Sequence, residues 1–195
     1  MHDERSQWTF QDRQNAALEN VITIVSTRTT DRVKDPHGTV HEIPGGPARY
    51  VVEALTRLGR ECRLVTGLHV ETEVIEGPNG EEYVIPPLPP IPLPDLLVGQ
   101  AVILSPITQE IIPEQVPPVQ GLLVVDLQGF VRVPGKPSAH PGKRFDLRDL
   151  LLRADLVKAS TSELSLLSDQ SREALKQTIL VETRGRWGAV VHAGS

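Results

Sequence analysis

The chain has 195 residues and a formal net charge of −5 at pH 7. This length suffices for one domain with a core of ordinary size, and the acidic balance, with scattered lysines and arginines, argues against nonspecific nucleic-acid binding. Cys62 is the only cysteine, which excludes an intramolecular disulfide and fits a reducing, cytoplasmic location. Because no apolar run approaches the roughly 18 residues of a membrane span, we expect no membrane contact.

The N-terminal part of the chain contains a polar arm followed by a strand. Residues 1–20 are polar apart from Trp8 and Phe10, and the domain is predicted to occupy residues 21–195. Its first element is Val21-Ile22-Thr23-Ile24-Val25, a β-branched run typical of a buried strand. A polar loop over 26–31 and a short strand over 39–43 are predicted to follow.

The double glycine Gly45-Gly46 is predicted to turn the chain into an amphipathic helix. Adjacent glycines permit backbone conformations closed to other residues and a close approach by a ligand. Pro47 suits the first helical position, and Gly59 suits the C-terminal cap. Apolar residues recur at helical spacing: Ala48, Val51, Val52, Leu55 and Leu58. The pattern predicts a helix that buries one face.

After a strand over 63–66, the pattern changes to a hairpin and a proline-rich run. Strands are predicted over 72–75 and 82–85, joined by Gly77-Pro78-Asn79-Gly80, whose Asn-Gly favours a tight turn. The proline-rich run over 86–94 excludes a helix or a central strand. The whole segment, 72–94, fits a flap over a site and a surface linker equally well.

Beyond residue 100, strands alternate with short helices. Strands are predicted over 101–105, 121–127, 156–158, 179–183 and 189–191. Helices are predicted over 108–112, 146–153 and 160–177, the last with a break near Ser168-Asp169, and a long loop over 130–145. Continuous apolar strands such as Leu122-Leu123-Val124-Val125, separated by helices, indicate an α/β fold with a mainly parallel sheet covered on both faces.

Polar residues follow several of these strands, where ligands of open parallel sheets bind. They are Asp31, the double glycine, Ser105, Asp126, Gln128, Ser160, Glu163 and the segment 183–185. Structural alternatives stand beside a binding role: Asp31 also suits a turn, and Ser160 with Glu163 fits the Ser-x-x-Glu capping box, the better interpretation from the residues alone. His37 and His41 lie in a predicted loop or strand, so no metal site is expected there.

Six segments, in this order, resemble the ribokinase-like (PfkB) sugar and nucleoside kinases, in particular their shorter members. They are the first strand ending near Asp31, the stretch 45–59, Leu104-Ser105-Pro106-Ile107, and the stretches 125–132, 157–163 and 181–189. The resemblance implies a ribokinase-like, mainly parallel sheet with helices on both faces and a small β-hairpin lid. It also implies transfer of the γ-phosphoryl group of ATP to a hydroxyl of a sugar or nucleoside.

The resemblance assigns roles to particular residues. Those implied on the substrate side are Asp31, Gly45, Gly46, Asp126, Gln128 and Arg132. Those implied beside ATP are Ser160, Glu163, Thr183 and Gly185. Glu163 is further implied to organise Mg²⁺ through a water molecule. Separately from the resemblance, we expect that the hairpin lid can join two chains in a homodimer.

One family motif is not found. A Gly-Ala-Gly-Asp segment supplies the family's anion hole and catalytic Asp, and it should follow the last strand, but the sequence ends at Ser195 without it. We therefore expect a truncated domain whose C-terminal part is missing and which has no useful kinase activity. Three interpretations stay open: an enzyme completed by downstream sequence or a partner, a noncatalytic sugar- or nucleoside-binding module, and a structural subunit of an oligomer.

Overall fold

The computed structural model describes residues 20–35, 37–77, 80–135 and 144–194. The predicted N-terminal arm with Trp8 and Phe10 lies outside the described residues, apart from Asn20. The hairpin turn residues Pro78 and Asn79 and the middle of the predicted long loop lie outside them as well. In the part of the chain that is described, no helix has the length and apolar character needed to cross a membrane.

Eleven strands and four α-helices are found in these residues. The strands are β1 (Ile22–Val25), β2 (Thr29–Lys34), β3 (Val40–Gly45), β4 (Cys62–Val65), β5 (Val70–Gly77), β6 (Gly80–Val84), β7 (Leu97–Leu104), β8 (Val119–Asp126), β9 (Leu156–Ser160), β10 (Ile179–Thr183) and β11 (Ala189–His192). The helices are α1 (Gly46–Arg57), α2 (Arg148–Leu151), α3 (Thr161–Ser165) and α4 (Asp169–Leu175). Short 3₁₀ turns occur at Pro113–Gln115 and Gly185–Trp187.

Seven strands form a large sheet in the order β11-β10-β9-β8-β7-β1-β4. All neighbours are parallel except β10 and β11, which are antiparallel. Val25 at the end of β1 lies opposite Leu104 of β7 and Val65 of β4, so these strands end at one edge. The predicted mainly parallel α/β sheet is confirmed.

The core lies mainly between this sheet and the segments that carry α2, α3 and α4. Val25, Leu104, Val125 and Val157 are fully buried in one apolar cluster that also includes residues of α2 and α4. Ile24, which points to the opposite face from Val25, is fully buried too. The sheet is therefore covered on both faces at β1, as its continuous apolar run predicts.

Four further strands form a small second sheet in the order β3-β2-β5-β6. The β5–β6 pair is the predicted hairpin. The prediction of a polar loop reaching Asp31 is wrong, because the loop ends at Arg28 and Asp31 lies within β2. In that strand Asp31 pairs with Ile43 on one side and Thr72 on the other, and such pairing between distant segments leaves little trace in a local pattern.

The helix α1 begins at the double glycine, as predicted, and Gly59 follows its end with φ of +64°. The predicted buried face is only partly formed, since Ala48 is buried but Leu58 is 73% exposed. Leu58 lies one residue beyond the last helical residue, Arg57, where the chain already turns towards β4. Its inclusion in the buried stripe was wrong.

The predicted helix over 108–112 is also wrong. Gln109 has φ of +60°, and the Glu110 carboxylate accepts hydrogen bonds from the amides of Ile107 and Thr108. These amides are thereby bound to a side chain instead of a helical carbonyl. The predicted helix over 146–153 is shortened to α2, because Arg153 donates to Leu150 in a tighter final turn.

Candidate functional site

A pocket of about 100 Å³ lies where the small sheet, the start of α1 and the loops after β7 and β8 meet. Its lining consists of Thr29, Asp31, Gly46, Pro47, Tyr50, Thr72, Ile85, Ile107, Gln128 and Arg132. Four of the six residues predicted on the substrate side are among them: Asp31, Gly46, Gln128 and Arg132. They come from three separate segments of the sequence, and the fold brings them to one cavity.

Asp31 is the buried carboxylate of this pocket, with 7% of the residue exposed. Its Oδ1 accepts hydrogen bonds from Thr29 Oγ1 at 2.7 Å and from Thr72 Oγ1 at 2.6 Å. Among the described residues, both side-chain hydrogen bonds of Asp31 go to Oδ1, so Oδ2 retains its capacity to accept a ligand hydroxyl. The alternative in which Asp31 caps a turn is wrong, because the residue lies within β2.

The two glycines make room for Asp31 and for the loop after β1. A Cβ atom at Gly45 would lie 2.0 Å from Asp31 Oδ2, so no other residue fits there unless the carboxylate moves. Gly46 has φ of +79°, and its Cβ would lie 2.9 Å from the carbonyl oxygen of Thr27. Both positions therefore require glycine for close packing, whether or not either contacts a ligand.

Gln128 and Arg132 belong to the loop after β8. This loop packs closely against the loop after β7, since a Cβ at Gly129 would lie 2.1 Å from the carbonyl oxygen of Pro106. The Gln109 side-chain amide donates to the carbonyl oxygen of Arg132 at 2.9 Å. The loop thus brings the positive charge of Arg132 to the pocket that contains the Asp31 carboxylate.

Asp126 does not line the pocket but lies in a charged cluster at the ends of β7, β8 and β9. Its carboxylate accepts a hydrogen bond from Ser105 Oγ at 3.1 Å and pairs with Lys158 Nζ at 3.1 Å. The Lys158 side chain is 35% exposed. Sequence reasoning missed Lys158, although a lysine near the carboxyl end of an otherwise apolar strand is a usable signal.

The four residues predicted beside ATP lie around the ends of β9 and β10. Ser160 and Thr183 are register partners in these strands, and Gly185 opens the 3₁₀ turn before β11. Ser160 and Glu163 form the predicted capping box: Ser160 Oγ accepts from the Glu163 amide at 3.2 Å, and Glu163 Oε2 accepts from the Ser160 amide at 2.8 Å. One carboxylate oxygen of Glu163 is therefore already hydrogen-bonded in the N-terminal cap of α3.

The side chains that the structure describes form no cage of protein ligands for Mg²⁺. Mg²⁺ requires several oxygen ligands in octahedral geometry, and among the described residues no group of three or more His, Cys, Asp or Glu side chains is arranged to hold a metal ion. Glu163 supplies at most one free carboxylate oxygen. Mg²⁺ usually keeps several of its waters and binds substrate phosphates, so the role of Glu163 in organising Mg²⁺ through a water molecule stays a prediction.

A second cluster, which sequence reasoning also missed, surrounds Glu182. Its carboxylate accepts hydrogen bonds from Arg184 Nη2 at 2.9 Å, Thr161 Oγ1 at 2.7 Å and His192 Nε2 at 3.1 Å. These bonds lower the pKa of Glu182 from 4.5 to about 2, and the bond from Arg184 has the largest effect on it. The same pairing raises the pKa of Arg184. The cluster joins β10, β11 and α3.

A larger pocket, of about 490 Å³, lies beside α3, α4 and β10. Apolar side chains such as Leu164, Leu175 and Leu180 form much of its lining. None of the ten predicted site residues lines it. The smaller pocket around Asp31 is therefore the one that brings four of the predicted residues together.

The sequence matches no protein-family model and no curated protein, but the structure resembles solved kinases. A pyrophosphate-dependent kinase in the ribokinase family, complexed with a pyrophosphate analog and myo-inositol, is 18% identical, with a TM-score of 0.59 over 90% of this chain and 76% of that chain. The nucleoside kinase of Methanocaldococcus jannaschii, an archaeal member of the ribokinase family, is 11% identical, with a TM-score of 0.60 over 90% and 74%. The ribokinase of Thermotoga maritima is 14% identical, with a TM-score of 0.59 over 89% and 74%.

At these identities the likeness concerns the fold. The chain has the ribokinase-like α/β fold with a mainly parallel sheet, as the sequence resemblance implied, and the implied hairpin is part of a small four-stranded second sheet.

Proposed function

We propose that this ribokinase-like domain binds a sugar or nucleoside through its hydroxyl groups in the pocket around Asp31. The observation that carries the proposal is the Asp31 carboxylate, which is buried and fixed through Oδ1 while Oδ2 retains acceptor capacity. A buried acceptor of this kind suits a hydroxyl donor, because an unmade hydrogen bond at a buried carboxylate is costly. The similar kinase complexed with myo-inositol supports a polyhydroxy ligand.

The rest of the lining suits such a ligand. Gln128 offers a side-chain amide and Arg132 a guanidinium, so hydroxyl oxygens find donors as well as the Asp31 acceptor. Ile85 and Ile107 supply apolar surface for the C–H groups of a ring. The volume of about 100 Å³ is on the scale of one sugar ring, so the base of a nucleoside would extend out of the pocket.

Phosphoryl transfer from ATP to a hydroxyl of that ligand is a second candidate. The Lys158–Asp126 pair favours it, since it places a partly exposed ammonium group at the strand ends next to the loop that carries Gln128 and Arg132. In this candidate, bound ATP would supply the transferred group, and Lys158 and Arg132 would contribute positive charge near its phosphates. We expect no transfer by the 195-residue chain alone, because it contains no Gly-x-Gly-Asp segment.

Titration calorimetry with D-ribose, adenosine and myo-inositol tests the binding proposal. We expect heat with at least one of them, and an affinity at least about tenfold lower for Asp31→Asn, which removes one acceptor oxygen from the carboxylate. Asp35→Asn is the matched control, because the hydrogen bonds described for this half-buried aspartate come from the nearby amides of His37 and Thr39. Absence of heat with all three ligands, or equal binding by Asp31→Asn, would contradict the proposal.

A product assay decides between binding alone and catalysis. The purified chain is incubated with each ligand and with ATP or pyrophosphate as donor, and phosphorylated product is measured by mass spectrometry. We expect none. Product formed by the wild-type chain and lost in Asp31→Asn would establish the kinase function and refute the expected inactivity.

We also propose that the small sheet joins two copies of the chain. Its edge strand β3 pairs only with β2 in the described sheet, and Val40 and Ile43 on it are 46% and 41% exposed. An edge strand with exposed apolar side chains favours pairing with another chain. Sedimentation velocity should show a dimer that Ile43→Lys weakens, and a clean monomer at all concentrations would count against this assembly.

A further inference from the structure

Glu110 is a buried carboxylate that does not line the pocket. The residue is 1% exposed. Its Oε1 accepts hydrogen bonds from the Ile107 amide at 2.6 Å and from Thr27 Oγ1 at 3.0 Å, and its Oε2 accepts from the Thr108 amide at 2.7 Å. None of the ion pairs found among the described residues involves Glu110. Burying a carboxylate without a cation is unfavourable, so the hydrogen bonds from these three donors are what stabilises Glu110 in its buried position.

The three donors belong to two loops, one of which packs against the pocket residue Gly46 while the other supplies the pocket residue Ile107. Thr27 lies in the loop between β1 and β2, and its carbonyl oxygen is the atom that a Cβ at Gly46 would meet at 2.9 Å. Ile107 lies in the loop after β7 and lines the pocket, and its carbonyl oxygen lies 3.4 Å from Arg132 Nη1. Glu110 therefore connects the part of the wall that contains Gly46 with the part that contains Ile107 and Arg132.

We propose that Glu110 is a positioning residue for the ligand pocket, whose carboxylate ties Thr27 to the loop of Ile107 and so fixes Gly46 relative to Arg132. The expected effect of Glu110 on ligand binding rests on the proposed function. Gln109 reinforces the same arrangement. Its backbone N–H donates to the Gly129 carbonyl oxygen at 2.9 Å, and its side-chain NH₂ donates to the Arg132 carbonyl oxygen at 2.9 Å.

The chemistry of the position favours a carboxylate over an amide. A carboxylate only accepts hydrogen bonds, and three donors point at it. A glutamine has one acceptor oxygen, and its NH₂ group would face a backbone N–H or the Thr27 hydroxyl. Glu110→Gln is therefore expected to break at least one of the three bonds while keeping the size of the side chain.

Thr27→Val isolates the connection between the loops. It removes the hydroxyl that reaches Glu110 while leaving the shape of residue 27 and the two amide bonds to Glu110 in place. Thr23→Val is the matched control, because Thr23 is equally buried and its Oγ1 donates to the Val98 carbonyl at 2.7 Å, away from the pocket lining. Each variant loses one buried hydrogen bond of a threonine hydroxyl, and only in Thr27→Val is the lost bond one to Glu110.

The first measurement needs no ligand. In ¹⁵N-labelled protein, we expect Thr27→Val and Glu110→Gln to shift the backbone amide signals of Gly46 and Arg132, and Thr23→Val to leave both unchanged. Unmoved signals in Thr27→Val would overturn the inference. Should Glu110→Gln fail to fold, Thr27→Val with its control still carries the test.

The second measurement is calorimetry with whichever of D-ribose, adenosine and myo-inositol the wild-type chain binds. We expect about tenfold weaker binding for Thr27→Val and less than about twofold for Thr23→Val. Equal losses of affinity in the two variants would mean that Glu110 contributes only to the general stability of the fold, and would overturn the positioning role. If the wild-type chain binds none of the three ligands but the amide signals shift, the proposed function fails and the structural role of Glu110 stands.

Discussion

Replacing Gly45 by alanine tests the geometry of the pocket most directly. The backbone of Gly45 has φ of −135° and ψ of −165°, which any residue adopts, so the effect of the change comes from the space around it. The new Cβ would lie 2.0 Å from Asp31 Oδ2 and 2.1 Å from Asp31 Cγ. The carboxylate must move, and its bonds from Thr29 and Thr72 must lengthen or break.

The expected loss of stability follows from these contacts. Forcing a methyl group into a packed site costs about 1–3 kcal/mol, and a hydrogen bond to a charged group contributes roughly 1.5–3 kcal/mol. Because the carboxylate can partly relax, we expect Gly45→Ala to lower the free energy of unfolding by roughly 2–4 kcal/mol. The displaced Asp31 should also bind sugars or nucleosides more weakly.

Urea denaturation monitored by circular dichroism measures this loss, with Gly67→Ala as control. A Cβ at Gly67 would lie 3.4 Å from Ile91 Cγ1, an ordinary contact, so we expect a change below about 1 kcal/mol there. The decisive comparison is Gly45→Ala in an Asp31→Ala background, where the clashing group is gone. There the cost should fall to about 1 kcal/mol or less, the cost of alanine at a helix N-cap. An undiminished cost in the double variant would refute the reasoning.

Three further predictions concern the clusters outside the pocket. Because the folded pKa of Glu182 is about 2, below its ordinary 4.5, the stability that this carboxylate contributes is present above about pH 4.5 and is lost as the pH falls towards 2. The difference in unfolding midpoint between wild type and Glu182→Gln should therefore shrink as the pH is lowered from 6 to 3. A constant difference would contradict the pairing. Ser160→Ala removes the cap of α3 and should cost about 1 kcal/mol in urea denaturation, whereas no loss would mean that the capping box contributes nothing. Lys158→Met breaks a partly exposed ion pair and should lower the free energy of unfolding by only about 1 kcal/mol, since Asp126 keeps its hydrogen bond from Ser105. A loss of stability above about 3 kcal/mol would show that the pair is effectively buried.

Much of the fold could be predicted because its signals are local. The β-branched run of β1, the glycines that flank α1, the β5–β6 hairpin and the Ser160–Glu163 capping box each lie within a few residues of sequence. The break between α3 and α4 was also predicted, and Ser168 caps the second helix by accepting from the Ser171 amide at 3.1 Å. In these places local conformational preference and tertiary packing agree.

The errors have a common physical cause, which is a partner distant in sequence. The predicted loop at Asp31 is a strand because Thr72 and Ile43 pair with it. The predicted helix over 108–112 gives way to a loop in which the buried Glu110 also holds Thr27 of another loop. Lys158 was overlooked because its partner Asp126 lies on a neighbouring strand. A carboxylate carries no sign in the sequence of which donors it will meet.

The sequence by itself determined the residue types at the site and two of the elements that present them: a double glycine opening a helix, and a polar loop after a buried apolar strand. It also placed an acidic residue after the first strand, but it did not reveal the strand β2 in which that residue lies. Only the tertiary structure decided how Asp31 is used. Two threonines from different strands bind one of its oxygens, and Gly45 has no side chain where the other lies. The reason is that hydrogen bonds and close contacts depend on distances of a few ångströms between segments, and those distances exist only once both sheets are assembled.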